Sequence, residues 1–265
     1  MMKYIRIYTP AIALLVLLPS CNVNFLGYGI AGVVTLFALM FILFALMFYL
    51  IARRRKQGDK SLVKFANDVA VALGKLSTPQ QKINMLNKLI ERINNDEKYK
   101  KDTQWRDKVL AKTYSFLATA YYQNGDRMKA LHTMSDIIGL DDTDSMAYYN
   151  RGSIYSDMGM YDKALADLNT TVGLLPDYAS AYNNRGLVHE KMEHYGEALA
   201  DFDAAIAIEP SAVIYFNRGN THFQMEDYTA SLGDYRMALE YIDGETQPDF
   251  KKEIEIGIKA VEAKL

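Results

Sequence analysis

Cysteine is almost missing: Cys21 is the single one in 265 residues. An intramolecular disulfide and a cysteine-based zinc site each need at least two, so both are excluded, and cysteine usage gives no reading of redox compartment. A large charge of either sign is also missing. The 30 basic and 32 acidic residues leave a formal charge of −2, which offers no basis for binding nucleic acid. No phosphate-cradling glycine loop, nucleophile elbow or metalloprotease motif occurs, so neither an enzyme nor a cofactor is expected. What is present in quantity is apolar: 50% of the chain, enough for a core in one or two domains.

Charge is missing locally as well. Lys3 and Arg6 are the only charged residues before Arg53. The uncharged stretch from Phe25 to Ala52, at about 1.5 Å per helical residue, exceeds the roughly 30 Å hydrocarbon core of a bilayer. A transmembrane helix over 25–52 is therefore expected, with Tyr28 and Tyr49 near its ends and the basic run Arg53-Arg54-Arg55-Lys56 opening a juxtamembrane hinge over 53–60. Ala31, Ala38, Ala45 and Ala52 recur every seven residues. This stripe either lets two spans associate closely or reflects how common alanine is in spanning helices. Upstream, the order of Lys3 and Arg6, the apolar run Ala11 to Leu18 and small residues is that of a secretory signal over 1–20. Leu18-Pro19-Ser20-Cys21 resembles the bacterial lipobox, although Pro19 departs from the usual small residue. The resemblance implies a bacterial chain and lipidation of Cys21; the other reading is a buried cysteine ending an uncleaved apolar segment.

From 61 to 110 a helical extension is expected. Leu62, Phe65, Val69, Ala72, Leu73 and Leu76 recur with helical spacing. Thr78, Pro79 and Gln81 form a capping box that starts a second helix bearing Ile83, Leu86, Leu89, Ile90 and Ile93. The charged stretch Asn94 to Asp102 reads as a solvated loop.

Beyond it the chain repeats itself. Asn150-Arg151-Gly152, Asn184-Arg185-Gly186 and Asn217-Arg218-Gly219 are the same tripeptide, 34 and then 33 residues apart. Tyr114, Tyr148, Tyr182 and Tyr215 fall in the same register, as do Tyr121, Tyr155, His189 and His222. So do Ala130, Ala164, Ala198 and Ser231, then Met134, Leu168, Phe202 and Tyr235, with Pro176 and Pro210 closing two units. The pattern closely resembles the tetratricopeptide repeat. It implies an all-α solenoid of helical hairpins, each a helix A and a helix B, preceded by the transmembrane helix. Four units are placed at 111–144, 145–178, 179–211 and 212–244. The glycines should lie where helix A crosses helix B, opposite the helix B alanines, and the helix over 248–265 should cap the stack, with Phe250, Ile254, Ile258, Val261 and Leu265 on one face.

In this family a groove lined by helix A binds a peptide of a partner protein. By register the resemblance places there Lys112, Ser115, Thr119 and Tyr122 in the first unit and Tyr149, Ser153 and Ser156 in the second. The third contributes Asn183, Leu187 and Glu190, and the fourth Phe216, Asn220 and Phe223. Tyr149, Asn183 and Phe216 stand where some chaperone-binding members carry lysines and asparagines that hold a terminal carboxylate, so that specificity is not carried over. Asn150, Asn184 and Asn217 serve either the groove or helix packing. His189 and His222 are expected as satisfied core histidines rather than a metal pair, and Asp141, Asp142 and Asp144 as loop residues.

Two functional classes follow. One is a scaffold in a bacterial inner membrane whose cytoplasmic repeats recruit a protein, the side being set by the basic run. The other is a periplasmic or surface-facing lipoprotein that assists assembly of envelope complexes.

Overall fold

The computed structural model describes residues 61–242 and 247–265, over which every regular element is a helix. Cys21, the 25–52 span with its alanine stripe and the basic run lie outside the described residues. Among the described residues no helix is long and apolar enough to cross a membrane.

Leu62–Leu265 is one compact unit. It opens with α1 over 61–74, followed by α2, Pro79–Asn95. Thr78 caps α2 by accepting the Gln81 N–H at 3.3 Å, and the Gln81 side chain accepts the Thr78 N–H in return at 3.3 Å. The stretch expected as a loop is interrupted by a short helix, α3, Glu97–Lys101, where Lys100 pairs with Glu97 at 2.7 Å. That local i,i+3 attraction favours a turn of helix, and Tyr99 in it packs on the cluster of Ile93, Val109 and Leu110. Val69, Leu73, Ile83 and Leu86 of α1 and α2 pack on Leu117 and Ala120 of the next long helix, α4.

Four hairpins follow. Helices A are α4 Thr103–Gln123, α6 Ser145–Asp157, α8 Ala179–Lys191 and α10 Ala212–Gln224. Helices B are α5 Arg127–Leu140, α7 Tyr161–Leu174, α9 Tyr195–Ile208 and α11 Tyr228–Tyr241. The first helix A begins at Thr103 rather than near 111, because Asp102 caps it by accepting the Trp105 N–H at 3.0 Å and Val109 and Leu110 extend its buried face.

Each A–B turn is closed in the same way. Gly125, Gly159, Glu193 and Glu226 hold φ of 83°, 71°, 61° and 62°. The next residue's N–H returns to the fifth carbonyl back, as in Met160 to Tyr155 and His194 to His189, both at 2.9 Å. This is the Schellman arrangement, whose left-handed residue glycine adopts without strain. Helices α7 and α9 stop just before Pro176 and Pro210, which cannot continue a helix.

Inside each hairpin the glycines mark the close approach, with one correction to the expectation. A Cβ on Gly186 would meet the Phe202 ring at 2.8 Å, and one on Gly219 the Tyr235 ring at 2.9 Å. The opposing group is thus the large helix B residue one turn beyond the small one. Ala164 and Ala198 are fully buried, and Ser231, also buried, donates its hydroxyl to the Gly219 carbonyl at 2.9 Å.

The stack ends in α12, Pro248–Glu262, which buries Ile254 and Val261. A Cβ on Gly257 would lie 3.0 Å from the Tyr235 ring, so α12 rests directly on α11. Leu265, expected on its apolar face, is 69% exposed because the helix has already ended at Glu262.

Candidate functional site

Helix A of one unit touches helix A of the next, α6 to α8 and α8 to α10. The residues singled out for a groove lie along this succession. In units two to four the structure ties several of them into a ladder that crosses unit boundaries. Asn184 donates to the Tyr149 hydroxyl at 3.1 Å and to the Ser153 hydroxyl at 3.0 Å. Asn217 donates to the Asn183 side-chain oxygen at 2.9 Å, and the Thr221 hydroxyl donates to Glu190 at 3.4 Å. Asn184 and Asn217 thus act in packing between units, while Asn183 and Glu190 present what remains of their polar surface. Tyr149 also stands edge-on to Tyr178 at 5.0 Å, and burial pushes its hydroxyl pKa up. Leu187 and Ser156 are half-buried beside them.

The fourth unit differs. Phe216 packs on Tyr235 at 5.5 Å and on Phe250 of α12 at 5.3 Å, Phe223 packs on Tyr228, and Asn220 accepts the Tyr235 hydroxyl at 2.6 Å. This end of the face is largely satisfied from within the chain. On the helix A face the first unit is tied to the second by the hydrogen bond from the Tyr122 hydroxyl of α4 to the Asp157 carboxylate of α6. Lys112 lies 5.8 Å over the Phe116 ring, and Thr119 donates to the Ser115 carbonyl at 3.0 Å. The bond to Asp157 pushes the Tyr122 pKa up.

One set of functional side chains escaped the sequence reading. Each arginine of the repeated tripeptide forks onto an aspartate of its own helix B: Arg151 onto Asp167 at 2.7 and 2.8 Å, Arg185 onto Asp201 at 2.9 and 2.6 Å, and Arg218 onto Asp234 at the same two distances. A further nitrogen of each reaches back to the preceding helix B, to Ser135, Asn169 and Asp203 in turn. The guanidinium planes lie over Tyr148, Tyr182 and Tyr215, at 5.6, 5.4 and 5.6 Å. The aspartates are almost fully buried, and their hydrogen bonds hold the arginine pKa values even higher than usual. Each arginine is therefore a strut that joins three helices. The signal was present in the sequence as an aspartate 16 residues after each arginine.

His189 and His222 stand beside these struts, their Nε2 atoms 3.9 and 3.8 Å from Asp201 and Asp234. They were expected to be satisfied, but among the described residues the buried Nδ1 of each has no hydrogen-bond partner. Burial lowers the pKa of His189, with the Asp201 charge opposing and the Arg185 charge adding to the shift. Among the described residues no group of three or more His, Cys, Asp and Glu side chains is placed to hold a metal ion. Asp144 caps α6, and Asp141 accepts from Thr143, so two of the three loop aspartates shape the turn.

Residues 145–178 and 179–211 each match the family described as Tetratricopeptide repeat. The second and third hairpins thus match the tetratricopeptide repeat. Solved structures share the fold. MamA from Desulfovibrio magneticus RS-1 is 18% identical, with a TM-score of 0.56, and the match covers 71% of this chain and 97% of that one. BtubC (BKLC) from P. vanneervenii is 17% identical, with a TM-score of 0.60, covering 71% and 85%. A thermophilic tetratricopeptide protein of Thermus thermophilus is 16% identical, with a TM-score of 0.52, covering 77% and 98%. No curated protein matches the chain at a significant level. The hairpins are an all-α solenoid of the tetratricopeptide type.

Proposed function

We propose that the chain is a non-catalytic, membrane-anchored scaffold that recruits a protein partner through the helix A face of its tetratricopeptide repeats. The observation that carries the reading is the ladder of Tyr149, Ser153, Asn184, Asn183 and Asn217. It holds half-exposed aromatic and amide groups in fixed positions before any ligand arrives, which reduces the entropic cost of binding. A photo-crosslinking residue at Leu187 should give a discrete adduct that disappears in a Tyr149→Ala, Asn183→Ala variant. The same residue at Ala200 on helix B should give none. An identical adduct from both positions would sink the proposal.

The anchor is the uncharged stretch 25–52, and the basic run after it favours a cytoplasmic location for the repeats at a bacterial inner membrane. Protection of a tag after Leu265 from protease in intact spheroplasts is the expected result. Digestion would favour the second reading, a periplasmic or surface-facing lipoprotein that assists envelope assembly, for which Leu18-Pro19-Ser20-Cys21 speaks. Self-association through the alanine stripe predicts stronger crosslinking from cysteines at Ala38 and Ala45 than from cysteines at Phe41 and Phe44.

A further inference from the structure

The arginine strut is missing from the first unit. In its register Leu117 stands where the other units carry arginine, and Thr133 where they carry the buried aspartate. The stacking tyrosine is nevertheless retained, as Tyr114. At the corresponding three-helix junction, between α2, α4 and α5, lies a cavity of about 390 Å³ lined by Tyr114, Leu117 and Thr133. It falls within the roughly 300–1,000 Å³ range of ligand sites. Asn87 and Ile90 of α2 form the wall that the preceding helix B forms in the later units.

The cavity is lined by one lysine and one carboxylate. Lys129 is matched by Asp126 at 3.4 Å and lies 5.5 Å over the Tyr121 ring. Asp136, one turn beyond Thr133, faces the cavity, and its partner is His132 at 4.0 Å, an ion pair only when the histidine is protonated. A carboxylate, Asp136, and the Tyr114 ring therefore line the place where, in three other units of the same chain, a guanidinium is stacked on a tyrosine and forked onto a carboxylate. We infer that this cavity is a docking slot for an arginine side chain of a protein partner, which supplies in trans the strut that units two to four supply in cis. The slot is distinct from the helix A ladder, and a partner could use both.

The test is a titration of the full-length chain, ¹³C-labelled at its methionine methyls, with N-acetyl-arginine amide. Met128 lines the cavity and is 64% exposed, so its methyl resonance is the reporter. A saturable shift is expected, with the neutral isostere N-acetyl-citrulline amide binding about tenfold more weakly for loss of the charged hydrogen bonds. Asp136→Asn should abolish the shift, and Leu117→Arg with Thr133→Asp, which would build the strut in cis, should block it. Should that double variant fail to fold, Asp136→Asn, at a partly exposed side chain, still decides the matter. The inference is overturned by no saturable shift, by equal affinity for citrulline, or by a shift that survives Asp136→Asn. A Tyr149→Ala variant should leave the Met128 response unchanged even if it abolishes partner binding, which separates this slot from the ladder.

Discussion

Arg185 and Asp201 show what a single pair contributes to the array. The carboxylate is 5% exposed and sits under a two-pronged guanidinium. Removing only the acid, as Asp201→Ala, strands a buried cation, and the expected cost is about 3–5 kcal/mol in urea denaturation. Replacing both partners with the pair the first unit uses, Arg185→Leu and Asp201→Thr, should cost much less, since Leu117 and Thr133 are themselves 4% exposed and packed. Equal losses in the single and double variants would contradict this account. At the turns, Glu193 holds a left-handed φ of 61° where the first two units use glycine. Glu193→Gly should stabilise the chain by about 1 kcal/mol, the relief of left-handed strain less the entropy of glycine. His189 gives a pH dependence of definite sign. Its folded pKa lies below the unfolded 6.5, so its contribution is complete above pH 6.5 and is lost as pH falls through the folded value. The urea midpoint should drop over that acidic window, and the drop should shrink in His189→Tyr, which installs the residue found at this register in the first two units. The strut arginines and their aspartates are visible in the sequence only as two repeated positions, not as a pair. Each aspartate lies 16 residues away on another helix, and nothing in local spacing says that the two helices meet there.

At the scale of the element, most boundaries follow from capping chemistry that a reader can see. Thr78 and Gln81 begin α2, and Pro176 and Pro210 follow the ends of α7 and α9. The misplaced start of α4 and the short α3 have the opposite character. In both, an aspartate cap or a Lys–Glu pair works together with a few apolar anchors, Tyr99, Trp105 and Val109, too sparse to show a clear helical period. The last helix has a clear energetic role. Tyr235, 3% exposed, and Phe216 are both covered by α12. Truncation after Gln247 should uncover them, lower the melting temperature and promote association, read by thermal denaturation and gel filtration. An unchanged melting temperature would show that the hairpins end the stack unaided.

Across the whole molecule, each hairpin owes its stability to its neighbours, through the apolar seams and through struts that reach the preceding helix B. Native-state hydrogen exchange should therefore find α8 and α9 most protected and α1 and α12 opening first, because among the described residues the end helices have a neighbour on one side only. Uniform protection along the array would contradict nearest-neighbour coupling. The sequence by itself determined the hairpin architecture, its period, the glycine crossings and the register of the helix A face, because all of these repeat and each repetition tests the last. Only the tertiary structure decided which of those side chains are spent on one another. The asparagine ladder and the arginine struts are contacts between residues 15 to 35 positions apart, and the slot of the first unit is walled by three separate helices. Such pairings depend on how two helices are set side by side, and periodicity along one chain fixes the faces of helices but not the atoms that meet between them.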